Sequence, residues 1–434
     1  MSKDISINVE HVTRVEGHGN IVLNVKDGRV EKVEWQVSEA PRFFEAMLRG
    51  REYWELQPIT SRICGICSIG HSIASLKATE DAFGVEISDQ TYALRHLAIN
   101  AENMQSHILH IGYLVAPDLF GVGSVFPLSN SEHREVLLKI IRLHRLANEM
   151  SDLVCGRTTH PLTLVVGGFS KVPSEKRLVE LRKQLVENIG TTRDVAEAIK
   201  QVVDRLPDFS RETEYIALSS DKEYALYDGV ITSTDTGKHP DYRGYRDVLK
   251  EYVVPQSTAK YAKHVRDSYM VGALARFNIN SKQLSSNALE VADLFELKPV
   301  CCNPFMNTIA QLVEFMHNID DSVGWIDQLL SEGVSEEKPV DFKVMEGRGV
   351  GLVEVPRGLL VHDYTFDGEG RCVKANCVIP TNQNHGNIQK DMEAFVPSLL
   401  DKPENEIELN LEMLVRAYDP CISCSTHCVR VRFV

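Results

Sequence analysis

The chain has 434 residues, of which 43% are hydrophobic and only 7% aromatic, enough for a large core divided into two or three subdomains. A formal net charge of −14 argues against a nucleic-acid-binding protein, which would normally carry a basic face, and against an affinity for anionic membranes. The sequence has no signal-peptide pattern and no long uncharged apolar segment, so a cytoplasmic protein without a membrane span of its own is expected.

The N-terminal region, residues 1–60, is predicted to be rich in β-structure. Apolar and polar residues alternate over 5–9, 19–25 and 30–37, and Asp27-Gly28 predicts a turn between the last two segments. These patterns indicate an antiparallel sheet at the start of the fold.

Long helices are predicted in the next region, residues 61–340. Apolar residues recur at intervals of three and four, with few glycines or prolines, over the segments 89–120, 132–155, 174–206 and 304–332. Four such segments favour a helical bundle, and the less regular stretch near 207–256 is expected to interrupt it.

The C-terminal region, residues 341–434, is predicted to be α/β, with strands within 342–381 and a short helix near 388–400. Taken together, the elements predict an α+β fold in which a large central bundle of long helices is flanked by β-containing subdomains.

Two cysteine pairs with the same spacing, Cys64-x-x-Cys67 and Cys421-x-x-Cys424, lie near opposite ends of the chain. Each turn brings two sulfurs to one side of a loop, and the two loops together can supply four soft thiolates to a transition metal. The ten cysteines are too sparse for a disulfide scaffold. Zinc ribbons place their pairs about 15 to 20 residues apart, so a redox or catalytic metal is favoured over structural zinc. A thioredoxin-like dithiol is the third alternative, although it needs only one pair.

The two cysteine motifs, Arg62-Ile-Cys-Gly-Ile-Cys67 and Asp419-Pro-Cys-Ile-Ser-Cys-Ser-Thr-His427, closely resemble the signatures of the catalytic large subunit of nickel-iron hydrogenases. The resemblance runs nearly from end to end and is closest to the cytoplasmic branches, which are methyl-viologen-reducing and heterodisulfide-reductase-linked, or NAD(P)-linked. Further motifs that match the family in order are Thr13-Arg-Val-Glu-Gly-His18, Pro41-Arg-Phe-Phe-Glu45, Glu354-Val-Pro-Arg-Gly358 and Cys377-Val-Ile-Pro-Thr381.

The resemblance implies a nickel ion bound by four cysteines, of which Cys64 and Cys421 are terminal ligands while Cys67 and Cys424 bridge to an iron. In the family that iron carries carbon monoxide and cyanide. The residues that match the family's contacts to these diatomic ligands are Pro356, Arg357 and Thr381.

The resemblance also implies roles for residues outside the cysteine loops. Glu16 matches the carboxylate that receives a proton from a terminal cysteine, most plausibly Cys421. Glu45 matches a ligand of a hard cation, magnesium or iron, which His427 and the main-chain carbonyl of Cys377 also bind.

His71 matches a histidine that hydrogen-bonds a bridging sulfur, and Asp419 matches a carboxylate near the metals. Without the resemblance, these side chains have ordinary interpretations. Glu16 would be a solvated strand residue, Glu45 a charge on a helix face, His71 a packed histidine, Arg357 an ion-paired arginine and Asp419 a cap.

The chain departs from many family members at two places. The stretch Gln105-Ser106-His107 stands where uptake-type members have an aspartate. The segment Cys428–Val434 is short for the extension that a maturation protease removes, and we expect the mature chain to end at His427.

The sequence therefore predicts an enzyme, a hydrogenase that reversibly cleaves H2 into protons and electrons. The chain has no further cysteine cluster suited to iron-sulfur centres, so the electrons are expected to pass to an iron-sulfur small subunit. Other expected partners are electron-transfer subunits of the heterodisulfide-reductase or NAD(P)/flavin type, the maturation protease and nickel-insertion proteins. The alternatives are a structural zinc-thiolate scaffold and a metal-free, hydrogenase-like subunit of a larger complex.

Overall fold

The computed structural model describes residues 4–426. It is a mixed α and β structure whose long helices form a central bundle, in agreement with the predicted α+β class. The helices are α1 (Phe44–Met47), α2 (Tyr53–Thr60), α3 (Ser68–Phe83), α4 (Asp89–Leu109), α5 (Ala116–Phe120), α6 (Arg134–Cys155), α7 (Glu175–Lys200), α8 (Ala273–Asn280), α9 (Ser286–Leu294), α10 (Asn307–Glu332), α11 (Pro380–Phe395), α12 (Glu404–Ala417) and α13 (Ile422–Ser425).

Fourteen strands are distributed over five small sheets within residues 4–426. They are β1 (Ile5–Val9), β2 (Gly19–Lys26), β3 (Arg29–Val37), β4 (Leu164–Val165), β5 (Gly168–Phe169), β6 (Glu214–Ser219), β7 (Val230–Ser233), β8 (Gly237–His239), β9 (Lys250–Tyr252), β10 (Tyr261–Lys263), β11 (Tyr269–Met270), β12 (Gly347–Val355), β13 (Gly358–Phe366) and β14 (Cys372–Val378).

The bundle consists of α4, α6, α7 and α10, the four helices that the apolar periodicity predicts. Helix α4 packs against both α6 and α10, and α7 also packs against α6 and α10. A π-helical turn, His110–Val115, continues α4 where the sequence predicts one unbroken helix. No helix of residues 4–426 is long and apolar enough to cross a membrane.

The N-terminal sheet is an antiparallel meander in the order β1-β2-β3, with the predicted Asp27-Gly28 turn between its last two strands. A second meander, β12-β13-β14, forms the sheet near the C-terminal end. The excursion near 207–256 contains short strands: β6, β7 and β8 join β11 in one four-stranded sheet, and β9 pairs with β10.

Helix α3 packs directly on β12, and small residues make the close approach possible. A Cβ atom on Gly349 would lie 2.0 Å from the carbonyl oxygen of Ala78, and one on Gly351 would lie 2.1 Å from that of Ala74. The strand can therefore cross the helix only where its residues lack side chains. This contact fixes the start of α3, which follows Cys67, relative to the end of β12, which leads to Arg357.

Candidate metal centre

The four predicted cysteine ligands converge on one buried position. Cys64 and Cys67 lie in the loop between α2 and α3, whereas Cys421 and Cys424 follow α12. The sulfurs of Cys64 and Cys421 are 3.3 Å apart, those of Cys67 and Cys424 are 3.5 Å apart, and all four lie within 4.8 Å of one another. Four buried sulfurs at these distances form a soft donor set for transition metals.

Backbone N–H groups hold the cysteine loops in place. The amides of Ile66 and Cys67 donate to Cys64 Sγ, at 3.2 and 3.4 Å. The other cysteines, Cys421 first, also donate to this sulfur and hold the pKa of Cys64 well below its ordinary value. Burial, in contrast, raises the pKa of Cys421 and of Cys424. The Cys64 sulfur therefore accepts hydrogen bonds from two backbone N–H groups of its own loop.

Glu16 lies beside the second cysteine loop, although more than 400 residues separate the two in sequence. Its carboxylate accepts a hydrogen bond from the backbone N–H of Ser423 at 3.0 Å, and its carbonyl accepts one from Ile422 at 2.9 Å. A β-bridge also joins Glu16 to Cys421. The half-buried carboxylate is thus held next to the loop that carries two of the four sulfurs.

Arg357 and Asp419 form a buried ion pair at the entrance to the second loop. Arg357 Nη2 donates to Asp419 Oδ1 at 2.7 Å, and Nε donates to the Asp419 carbonyl at 2.5 Å. Arg357 Nη1 donates to Ser106 Oγ at 3.0 Å, and Gln311 Nε2 donates to Asp419 Oδ2 at 3.0 Å. Ser106, which lies in the stretch 105–107 that departs from the family pattern, therefore takes part in holding Arg357.

A second buried ion network fixes the backbone just before Arg357. Arg276 donates to the carboxylates of Glu314 and Glu354, at 2.7 and 2.9 Å. The same guanidinium donates to the carbonyls of Val355 at 2.9 Å and Pro356 at 3.1 Å. Burial raises the pKa of Glu354 to about 7. The end of β12 is therefore anchored from α8, which carries Arg276.

A small cavity adjoins the sulfurs of Cys67, Cys421 and Cys424. Pro356 is not among its lining residues, whereas Pro380 is. The apolar wall consists of Val355, Ile379 and Pro380, and the polar lining consists of His71, Arg357 and Thr381. Thr381 Oγ1 also accepts the backbone N–H of Cys421 at 3.1 Å, so this hydroxyl helps to position that cysteine.

His71 begins a chain of buried side chains behind the cavity. Its Nδ1 lies 3.1 Å from His362 Nε2, and His362 Nδ1 lies 2.6 Å from the hydroxyl of Tyr364. The Tyr364 hydroxyl donates to Ser75 Oγ at 3.2 Å. His71 is thus oriented by a partner from β13.

The expected hard-cation site is only partly covered by residues 4–426. Glu45 Oε1 accepts the backbone N–H of Cys377 at 2.8 Å, so two of its expected contributors are neighbours. The backbone N–H of Arg42 donates to the carbonyl of Thr426 at 2.8 Å, which brings the end of the second loop to the same segment. His427 lies outside the described residues.

Helix α4 carries site residues that the sequence reasoning did not assign. Glu102 accepts the backbone N–H groups of Ile69 and Gly70, at 2.7 and 3.0 Å, and so caps the start of α3 next to Cys67. Burial raises the pKa of Glu102 to about 8. One feature of the sequence could have indicated this role. Several polar residues of α4, Glu102 among them, are spaced so that they lie on one face of the helix, although the helix is otherwise packed in the core.

Comparison with known proteins connects this geometry to a family. The model of the family described as "Nickel-dependent hydrogenase" matches residues 42–136 and 208–427, and a model described as HoxL-like matches residues 6–40. The alpha chain of sulfhydrogenase 1 from Pyrococcus furiosus is 31% identical over 431 residues, covering 98% of this chain and 99% of that one.

The chain belongs to the nickel-dependent hydrogenase family.

This hydrogenase is similar to other hydrogenase subunits over almost its full length. A subunit of the vhc F420-non-reducing hydrogenase of Methanococcus voltae is 32% identical, covering 98% of this chain and 95% of that relative. The beta chain of the NAD-reducing hydrogenase HoxS of Cupriavidus necator is 27% identical, covering 96% and 94%. Each of these relatives is named as one subunit of a hydrogenase.

A crystal structure of an NAD+-reducing [NiFe]-hydrogenase has the same fold as this hydrogenase, with a TM-score of 0.87 and 28% identity over 98% of this chain and 99% of that one. The family recognised from the sequence, the α+β fold and the assignment as an oxidoreductase that acts on H2 are therefore confirmed. The chain is the catalytic subunit of a nickel-iron hydrogenase.

Proposed function

We propose that the four sulfurs hold a nickel ion, and that Cys67 and Cys424 share an iron with it on the side of the cavity. The main support for this proposal is that four buried sulfurs lie within 4.8 Å of one another, beside a cavity lined by Arg357 and Thr381. Thiolates are the soft, strongly donating ligands that this metal pair requires. When bound, the nickel-iron group supplies the heterolytic chemistry that splits or forms dihydrogen.

The cavity suits the small ligands of the iron, carbon monoxide and cyanide. Its apolar wall, Val355, Ile379 and Pro380, would exclude water, while Arg357 and Thr381 would donate hydrogen bonds to cyanide nitrogens. Pro356 would contribute by keeping Arg357 in register, because its carbonyl is bound to Arg276. His71, oriented by His362, would orient the bridging sulfurs.

Cys421 is proposed to take the proton and to pass it to Glu16. The hydrogen bond from Ser423 to the Glu16 carboxylate supports this route because it holds an acceptor beside the loop. Onward transfer would use Glu39, which lies 3.4 Å from Ser423 Oγ and 3.0 Å from His18 Nδ1. The His18 side chain is 62% exposed, so this route reaches solvent.

Electrons are proposed to leave through the first cysteine loop to an iron-sulfur small subunit. Cys64 is buried, but its neighbours Arg62 and Gly65 are exposed, so the cluster is only one residue below this surface. A cytoplasmic complex with further subunits, heterodisulfide-reductase-type or NAD(P)/flavin-type, is the proposed acceptor system.

Glu45 and His427, with the Cys377 carbonyl, are proposed to bind magnesium or iron. Nickel-insertion proteins and a maturation protease that cuts after His427 are proposed partners. The intact mass of the active protein tests the cut, since a mass that includes Val434 would refute it.

Metal analysis combined with infrared spectroscopy tests the proposed centre. We expect one nickel and at least one iron per chain, with infrared bands of iron-bound carbon monoxide and cyanide. Cys67→Ser should lose both metals, whereas Cys155→Ser, which alters a buried cysteine outside the cluster, should keep them. Zinc alone, without these bands, would support the structural scaffold instead.

A further inference from the structure

Two polar contacts fix how α4 and α10 pack along the seam, the line where the facing sides of these two helices meet. Asn100 Nδ2 donates to Asp321 Oδ2 at 2.7 Å, and His107 Nε2 lies 2.8 Å from Glu314 Oε2. The partner's number on α10 falls as the number on α4 rises, so the two helices run antiparallel. Residues between these contacts on the same faces therefore lie opposite each other.

Asn103 and Asn318 occupy this intermediate level of the seam. Each is three residues from one of the two contacts and four from the other, which is the spacing of neighbours on one helix face. Both residues are fully buried, at 0% exposure. The amide oxygen and nitrogen of each side chain have no hydrogen-bond partner among residues 4–426, and neither does Nδ1 of His107, one turn after Asn103. Buried polar atoms are nearly always hydrogen-bonded, so five such atoms at one level indicate a binding site.

The chemistry of these atoms indicates what the site takes. Two amide nitrogens donate and two amide oxygens accept, so the ligand must do both. The charged groups on either side are already bound: Arg276 donates to both oxygens of Glu314 at 2.7 Å, and Asp321 Oδ2 accepts from Trp325 Nε1 at 3.0 Å as well as from Asn100. An ion here would lack a compensating charge, which makes its burial costly. Water both donates and accepts, and a buried water typically makes about three hydrogen bonds.

We propose that Asn103 and Asn318 bind water inside the seam between α4 and α10, and that this water also hydrogen-bonds Nδ1 of His107. The site lies one helical turn from Glu314, whose partner Arg276 anchors the end of β12. The bound water thus extends the buried polar network of that anchor along the helical bundle. None of these residues is a candidate metal ligand, so the inference does not depend on the proposed nickel-iron centre.

A crystal structure of the complete hydrogenase at atomic resolution tests the site directly. We expect electron density for at least one water oxygen within hydrogen-bond distance of an amide atom of Asn103 and of one of Asn318. The double variant Asn103→Leu/Asn318→Leu should lack this density. A direct hydrogen bond between the two amides of the unaltered protein, or a seam without water density at this level, would overturn the proposal.

Unfolding of the single and double variants tests whether the two residues share the water. Leucine has nearly the shape of asparagine without its polar atoms. Asn103→Leu or Asn318→Leu alone should lower the midpoint of thermal unfolding by on the order of 1 to 3 °C, because the water and the remaining amide lose partners. The double variant should recover part of the loss, because no unpaired amide remains.

Asn410→Leu is the matched control for the higher helix propensity of leucine, since its amide donates to the Glu406 carbonyl of its own helix α12. The midpoints of the seam variants are compared with that of this control. A rise in the midpoint of both single variants would show that the amides are unpaired and dry. Losses that simply add in the double variant would show that the two side chains share no water, and either result would overturn the proposal.

Discussion

Glu16→Gln separates the proton-accepting role of this side chain from its structural role. The amide oxygen of glutamine can still accept the Ser423 N–H, and the backbone bond from Ile422 is unaffected. The loop that carries Cys421 should therefore stay in place. What the amide cannot do is take up a proton at neutral pH.

The magnitude follows from these contacts. Since both hydrogen bonds persist, the free energy of unfolding should change by no more than about 1 kcal/mol. A positioned general acid or base typically contributes about 10²- to 10⁴-fold in rate, so turnover should fall by that factor. This loss corresponds to roughly 3 to 5 kcal/mol in the activation free energy.

The assay combines hydrogen oxidation with an artificial dye, nickel and iron analysis, and thermal unfolding. Glu10→Gln, an exposed glutamate of the same N-terminal region, is the matched control and should retain full turnover. Full activity of the Glu16→Gln protein would refute the proton route. Loss of nickel from this variant would refute the reasoning differently, because Glu16 would then be needed to assemble the site.

Three further predictions concern residues around the cysteine loops. Arg357→Met leaves the buried Asp419 carboxylate without its ion-pair partner, so the free energy of unfolding should drop by about 3 to 5 kcal/mol in denaturant titrations; an unchanged midpoint would contradict the role of this pair. Thr381→Val removes the acceptor of the buried Cys421 N–H and should cost about 1 to 3 kcal/mol in the same titration, whereas Thr381→Ser, which keeps the hydroxyl, should cost far less. Burial raises the pKa of Glu354 from 4.5 to about 7, so the stability associated with its protonated form is present below pH 4.5 and is lost as the pH rises to about 7. Glu354→Gln should lack this loss, so its free energy of unfolding should rise by up to about 3 kcal/mol relative to that of the wild type between pH 4.5 and about 7. If the two proteins instead give parallel curves of stability against pH, Glu354 is not protonated in the fold.

Helix α6 and the first N-terminal strands could be predicted because each exposes one face. Strands β1 and β2 alternate between buried and more exposed residues, and α6 has a well-defined apolar face. Helix α3 had no such signal, since 14 of its residues are buried and it has no polar face to reveal the helical period. Helix α12 was also absent from the prediction, although Ile407, Leu411 and Leu414 follow the helical spacing.

The identities of the candidate ligands were accessible from the sequence, since soft donors at a fixed spacing restrict the chemistry to a few metals. Their supports were not accessible. Ser106, Gln311 and His110 are ordinary polar residues of helices, and only their side-chain partners give them a role at the site. The same holds for Pro380, which lines the cavity from the start of α11.

The sequence alone thus determined the family and identified the four cysteines as candidate metal ligands, because these depend on residue type and local spacing. The tertiary structure decided which groups surround them, because Glu16, Arg357 and Thr381 reach the second cysteine loop from distant segments of the chain. No local pattern in the sequence specifies that α10 and α12 meet around the ring of His110, whose two nitrogens contact Gln311 and the carbonyl of Arg416.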